Sequence, residues 1–559
     1  MKTIYNRYMK QLLKNGLRLS VIASIVFSVT SCDLDEEGYN FYPLDDYFEN
    51  TSRLEMAVNA AYIGLCNQTT YGQYWMVYDT DTDLSHIKGS DIGHVARDLG
   101  HYNIYSTHSW LQDTWATYYT GIDRVNLILE NMDKVQITDE KDTIFFKNLV
   151  GQSRALRAIY YFDLVKLFGD VPLRTKSADK YDEVRVPKTD RAIVYDTIIA
   201  DLKSAIIDLP WRDEMTQTGE RISKGAAMGM LAKVYLFRGG YSLYGAGSSG
   251  TLKRPDNYKE YYQEAKKVLD ELITANKHGL LKSYERVFRN MCELEYDPFE
   301  NMFEVSFFSL TGQVGTSSTV GTYNGPEINA ASSYGRANSF IKTQNFFYDT
   351  FDPNGDLRRD VAIATFSINK DDVVKEINRK QSYNWAPGKW RRNWHTGKIK
   401  DNNNTDLNAV ILRYADVLLM RAEVENELNG GPNDLAIEAL NQVRRRAFGK
   451  DYLTADAAFD LRISDFGDKE SFFNYLFEER ARELCFEGHR RMDLIRWGLL
   501  NKTLTDTKKK FDDAIANKEM NSYTFTAAIR FKTGVHELYP IPDYDVRETG
   551  GTIIQNPGY

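Results

Sequence analysis

Apolar positions along most of the chain recur at three- and four-residue steps, the period that places them on one side of an α-helix. In DTWATYYTGIDRVNLILENM, Trp115, Tyr119, Ile122, Asn126 and Leu129 share a face. FKNLVGQSRALRAIYYFDLVKLFGD repeats the pattern with Leu149, Leu156, Ile159, Tyr160 and Leu167, and Gly169 with Pro172 closes it. Further helices are predicted over 192–209, 224–237 and 258–275, the first ended by Pro210 and the second by Gly239 and Gly240. Two stretches share one layout: KGAAMGMLAKVYLFRGGYS with YYQEAKKVLDELI, and RYADVLLMRAEVENELNGG with AIEALNQVRRRA. Each gives a helix rich in small residues, a Gly-marked turn and a second amphipathic helix. Ala226, Ala227, Gly229 and Ala232 would let a neighbouring helix approach closely, as in tetratricopeptide-type antiparallel pairs. The predicted fold is mainly α: stacked tetratricopeptide-like helical hairpins with long irregular loops and a few short strands.

The helical period fails in two places, about 71–110 and about 290–408. The second opens on the strand-like NMFEVSFFSL and continues rich in Gly, Ser, Thr and Asn. Loops of this size inside a folded protein are usually functional, so residues 51–559 are read as a single helical domain whose irregular regions build a binding site.

The first 31 residues carry Lys2, Arg7, Lys10, Lys14 and Arg18 and no acid, followed by an apolar run from Leu19 to Val29. This is a secretory signal rather than structure. It ends VTSC, and Cys32 after three small or aliphatic residues resembles the lipobox of bacterial lipoproteins, which makes Cys32 the expected site of lipidation. Residues 32–50 then form a lipidated N-terminus and acidic linker, with Asp33, Asp35, Glu36 and Glu37 crowded against the anchor. That crowding resembles the surface-export signal of Bacteroidetes lipoproteins. Removing the signal moves the formal charge from -8 to -13, a sign that repels phosphate backbones, so no nucleic acid partner is expected. Cys66, Cys292 and Cys485 remain, an odd number that supports no complete disulfide framework.

Tyrosine outnumbers phenylalanine, 36 to 28, and a tyrosine covers apolar surface while keeping its hydroxyl in water. Sugars present an apolar C–H face and a hydroxyl rim, which proteins meet with a ring face and polar groups around it. YGQYWMVYDTDTD supplies Trp75 and Tyr78 beside Tyr71 and Tyr74, and HYNIYSTHSW supplies Tyr102, Asn103, Tyr105 and Trp110. The later loops supply Tyr323, Tyr334 and Arg336. In SYNWAPGKWRRNWH, Trp385 is the better ligand candidate and Trp390, nearer the following helix, the better packing residue. No metal or cofactor is expected. His94, His101 and His108 lie seven apart without a continuous helix to align them, and DTDTD and DPNGD lack the bidentate Glu of a calcium loop.

Three segments of the C-terminal third carry a wider resemblance: LRYADVLLMRAEVENELNG, EERARELCFEGHRRMDLIRWG and LYPIPDYDVRETGGTIIQNPGY. They are similar to signature segments of the SusD family, also called RagB/SusD, of nutrient-binding outer-membrane lipoproteins of Bacteroidetes. The resemblance implies tetratricopeptide-like helix pairs, a lipid anchor facing the cell exterior, and a SusC-like TonB-dependent β-barrel transporter as partner. It implies an oligosaccharide or other glycan as ligand, and it carries over no catalytic residue. Its ligand-contacting aromatics are fixed by no motif here. In the second segment Glu479, Glu483 and Glu487 stand four apart, a carboxylate row that Arg480, Arg490, Arg491 and Arg496 could answer; ion pairs locking helix ends are the reading, not acid–base chemistry. The expected function is glycan capture for uptake, without enzymatic activity. The alternatives are a peptide-binding member of the same family, a glycan-degrading enzyme with paired carboxylates, and a purely structural surface protein.

Overall fold

The computed structural model describes residues 9–11, 47–180, 185–215, 220–308, 317–397 and 403–559. The signal segment apart from 9–11, Cys32, and the linker up to residue 46 lie outside the described residues. The long helices are α1 (Thr51–Tyr62), α2 (Ser109–Asn131), α3 (Glu140–Phe168), α4 (Arg191–Asp208), α5 (Lys224–Arg238) and α6 (Tyr258–Thr274). They continue as α7 (Tyr284–Glu293), α8 (Tyr414–Asn429), α9 (Asp434–Ala447), α10 (Lys469–Leu484) and α11 (Leu500–Ala516). The starts follow from local chemistry. Asp139, Asp190, Ser223, Asn433 and Asp468 each turn a side-chain oxygen onto a free backbone N–H of the first turn of α3, α4, α5, α9 and α10. α3 stops at Gly169, whose φ of +74° no ordinary side chain adopts easily.

Each helix packs on the next. α3 lies against α2 and α4, α4 against α5, α5 against α6, α6 against α8, and α8 against α9 and α10. The two sequence stretches read as one unit are thus two helical pairs, α5–α6 and α8–α9, joined through α6 and α8. Gly229 lets α5 come close to the strand that leads into α8: a Cβ there would stand 2.5 Å from Leu412 Cδ2. Residues Glu49–Tyr559 form one compact unit. The mainly helical architecture expected from the sequence is the one observed.

The face expected of α2 is only half of its story. Tyr118, Gly121, Val125 and Ile128 are its other buried stripe, facing α3 with Tyr118 beside Tyr160. Trp115, Tyr119, Ile122 and Asn126 instead line a cleft of about 660 Å³ under the C-terminal segment. Leu129 is half-buried.

Strands are short and paired. β1 (Ser85–Ile87), β2 (Asn301–Val305), β3 (Ile341–Thr343) and β4 (Ala409–Arg413) form two antiparallel ladders, β1 with β3 and β2 with β4. Ser85 faces Thr343 and Ile87 faces Ile341, while the β2–β4 register shifts between Val410 and Leu412.

Candidate functional site

The two irregular regions are one structure. Besides the β1–β3 ladder, Lys88 N–H donates to Phe340 O (2.8 Å) and Thr319 N–H to Gly72 O (2.8 Å). Ile341 N–H donates to Tyr323 O (2.9 Å). The first region is also bolted to the charged signature segment. Asp83 takes both arms of the Arg490 guanidinium (3.0 and 2.6 Å), and Asp79 accepts the Arg491 backbone N–H (2.9 Å). Asp81 meets His101 Nδ1 at 3.0 Å, so all three acids of DTDTD are spent on tying loops down. Burial pushes the Asp79 carboxyl up to about 7, against the pull of the Arg491 N–H.

On this frame the rings form a strip. Tyr74 and Trp110 are stacked, centroids 3.8 Å apart and planes 8° from parallel, with Trp110 half-buried. The Tyr74 hydroxyl points toward Asp113, 3.5 Å from Oδ2. Burial raises the pKa of the Asp113 carboxyl, and the Tyr74 hydroxyl acts against it. Tyr323, half-buried, lies within electrostatic reach of Tyr74; burial raises its hydroxyl's pKa while hydrogen bonds with Gln73 and Asn338 lower it. Its ring leans on Phe340 (5.4 Å, 40°), which also meets exposed His94 (5.4 Å). Arg336 is exposed and near enough to act on Tyr323. The strip thus offers flat apolar faces with amide, carboxyl and guanidinium groups on its rim, the combination a hydroxylated ring compound requires. Tyr74 was among the aromatics noted in the first irregular region; Gln73, Phe340 and Asn338 were not singled out from sequence. Helical spacing could not point to them, because β1–β3 pairing brings them together from across 250 residues of chain.

The sequence-predicted residues divide between this strip and the interior. Trp110, Tyr323 and Arg336 join the strip. Tyr105 is exposed beside His108, and Asn103 bridges Asp98 and Arg530, its Nδ2 donating at 3.0 Å and its Oδ1 accepting at 3.2 Å. Tyr334 half-covers the small core of Ile328, Ala337 and Ile368. The other four are packed. Trp75 sets its edge on Trp390 (6.0 Å) and borders, with Tyr78, an internal cavity of about 60 Å³. Gly488, at φ +83°, makes room for it, since a Cβ there would stand 2.9 Å from the Trp75 ring. The Tyr78 hydroxyl meets Thr114 Oγ1 at 2.7 Å. Tyr102 lies between Phe531 and His536, and Trp385, only 5% exposed, donates Nε1–H to Ile377 O (2.9 Å) against Tyr348. In this arrangement Trp75, Tyr78, Tyr102 and Trp385 support the surface from below; they offer a ligand no open face. Helical spacing was a poor guide to their burial: Trp75 and Tyr78 sit in a single helical turn, Tyr74–Tyr78, that is buried all round, and Tyr102 and Trp385 lie in irregular backbone.

Behind the strip lies a block of buried charge. Glu483 accepts from Arg413 (3.1 Å), Arg446 (2.6 Å) and Arg358 (3.2 Å), and Glu479 from Arg358 (2.7 Å) and Arg482 (3.0 Å). Glu300 takes Arg413 (2.7 Å) and Arg446 (2.9 Å), and Glu487 takes Lys389 (2.5 Å) and Arg413 (2.7 Å). The carboxylate row is therefore answered from β4, α9, the loops and Arg482 of α10 itself, by residues other than those expected. Arg480 and Arg496 pair instead with Asp416, Asp493 and Glu423. The helix also ends at Leu484, with Phe486 at φ +65°, so Glu487 reaches the same block from a turn and not from the helical face. Burial works to raise the Glu483 carboxyl, but Arg446, Arg413 and Arg358 outweigh it and hold it at about 2. Every oxygen of these four glutamates is used, which leaves none free to move a proton.

Residues 364–559 match the SusD family, and residues 46–236 match a family described as starch-binding associating with outer membrane. A SusD homolog from Bacteroides thetaiotaomicron superposes on the chain with a TM-score of 0.82, at 30% identity over 92% of this chain and 98% of that one. The chain belongs to the SusD family. Among curated relatives, SusD-like protein P25 of Formosa agariphila is 27% identical over 533 residues, 88% of this chain and 92% of its own. A laminarin binding SusD-like protein shares the fold at TM-score 0.68 and 24% identity, covering 92% of this chain and 100% of that one. Both family matches take in the SusD framework, α1 to α5 and α8 to α11, and neither reaches Tyr323, Arg336 or Phe340.

Proposed function

We propose that this SusD-family chain is an outer-membrane lipoprotein, anchored at Cys32 and facing the cell exterior. It captures an oligosaccharide on the ring strip and hands it unaltered to a SusC-like TonB-dependent barrel. In this reading residues 1–31 are removed as signal, residues 32–50 tether, and residues 51–559 are the binding domain. The observation that carries it is the strip itself: Trp110 held flat by Tyr74, with Tyr323 and Arg336 alongside, at a junction of two irregular regions. The outer-membrane description of the matched family and the laminarin-binding fold neighbour support the same reading. Among the described residues no helix is long and apolar enough to cross a membrane, so attachment falls to the lipidated cysteine. A binding role, not an enzymatic one, agrees with the saturated glutamates of the signature segment.

Calorimetric titration against a glycan panel tests the capture step. Trp110→Ala and Tyr323→Ala should each weaken the bound glycan by about 1–3 kcal/mol, the loss typical of a truncated aromatic anchor. Unchanged affinity in both variants contradicts the site. Co-purification of a barrel from detergent-solubilised outer membrane tests the hand-over, and a lipoprotein that always elutes alone contradicts it.

A further inference from the structure

Arg336 stands beside the ring strip in a locally extended segment. Ala337 is bridged to Ile328 by two backbone hydrogen bonds (3.0 and 3.1 Å) and is buried in the small core with Ile368. Side chains of an extended chain alternate, so Arg336 and Asn338 leave on the opposite side, and Asn338 reaches the Tyr323 hydroxyl there. The guanidinium is exposed, and among the described residues no carboxylate lies within 4.0 Å of it.

The acids near the strip are engaged elsewhere. Asp91 pairs with Arg97 (2.7 Å), and Glu327 takes Lys88 (3.1 Å) and Lys342 (3.5 Å). Asp372 is held by Ser332 and Ser333 (2.6 Å each). Asp113, beside Tyr74, has Trp110 stacked next to it and a carboxyl that burial makes a weaker acid. The guanidinium of Arg336, next to Tyr323, is thus left without a carboxylate partner among the described residues. A planar guanidinium recognises a carboxylate or a sulfate with two parallel N–H donors, which a neutral hydroxyl cannot match.

We propose that the strip takes an acidic oligosaccharide: Trp110 and Tyr323 cover apolar sugar faces, and Arg336 clamps a carboxylate or sulfate-ester substituent. This rests on the glycan-capture reading above and adds the chemical class of the ligand. The test is calorimetric titration of the intact protein with three probes: laminarihexaose, tetragalacturonate and a κ-carrageenan tetrasaccharide. At low salt one of the anionic probes should bind at least about 10-fold tighter than laminarihexaose, a preference that fades toward 0.5 M salt because the contact is exposed. Which anionic probe wins separates carboxylate from sulfate recognition. Arg336→Ala should reduce the ratio of anionic to neutral affinity by about 10-fold, and Arg336→Lys, which keeps charge without the fork, should restore part of it. A ratio that Arg336→Ala leaves unchanged, or a wild-type preference for laminarihexaose, overturns the acidic class while leaving glycan capture standing. Binding by none of the three overturns both.

Discussion

The glutamates behind α10 and the rings around Tyr74 are satisfied to opposite degrees. Glu300, Glu479, Glu483 and Glu487 are buried with every oxygen engaged, five cations closing around them. The strip keeps half-open ring faces, an exposed histidine and an unpaired arginine. The first arrangement holds a fold and the second, on the function proposed, meets a ligand, although a count of charges and aromatics in the sequence would rank the charged segment as the more chemical of the two. The segment by which the family is recognised is thus the frame, and the surface that would meet a ligand lies partly where no family match reaches.

Substitutions should separate frame from surface, and the largest effect belongs to the frame. Glu483→Ala takes one buried carboxylate from Arg358, Arg413 and Arg446, which keep Glu479, Glu300 and Glu487 between them, and losing one partner of such a buried cluster costs about 3–5 kcal/mol. Chemical denaturation should show that loss, while the folded fraction keeps its glycan affinity. A loss below about 1 kcal/mol would mean the cluster is not a structural lock.

The same contrast has a pH signature. The Glu483 and Asp493 carboxyls are both held at about 2, below their unfolded values, so their stabilisation is present above about 4.5 and is lost as pH falls toward 2. Glu304 is the reverse case: burial pushes it up to about 7 against the pull of Asn408 and Asn301. Its neutral form is the stable one, so it costs about 3 kcal/mol of stability as pH rises from about 4.5 through 7. Asp79, also pushed up to about 7, adds a like fall, so Glu304→Gln should remove only part of the loss over that range and leave the acid limb in place.

Smaller effects come nearer the surface. Gly488→Ala should cost about 1–3 kcal/mol, because the position needs a positive φ and the added carbon meets the Trp75 ring. If the strip depends on Trp75 as a support, glycan affinity falls with it. Trp110→Ala should do the opposite, weakening binding more than it lowers stability, since the Tyr74–Trp110 stack contributes only about 0.5–1.5 kcal/mol.

Periodicity located the helices closely. Expected ranges 192–209 and 258–275 became Arg191–Asp208 and Tyr258–Thr274, because each is bounded by a breaker or cap that acts locally. It did not reveal that α2 is buried on two faces: the expected face lines the cleft under the C-terminal segment, and the stripe it missed, Tyr118 to Ile128, packs on α3. Likewise Trp110, Tyr323 and Arg336 could be picked from loop composition, but Trp75 and Trp385 looked equally open there. What distinguishes them is Gly488 making room for one ring and Ile377 O accepting a hydrogen bond from the other. The first contact spans most of the chain, and the second, though only eight residues long, crosses an irregular turn that carries no spacing. Phe340 escaped notice because its place beside Tyr323 is set by long-range pairing.

A crystal structure of the protein with a bound oligosaccharide tests the central claim most directly. The account predicts sugar rings lying on Trp110 and Tyr323, with the buried glutamates unmoved. A saccharide seated elsewhere, for instance in the cleft beside Trp115 and Tyr544, with the strip bare, would contradict it.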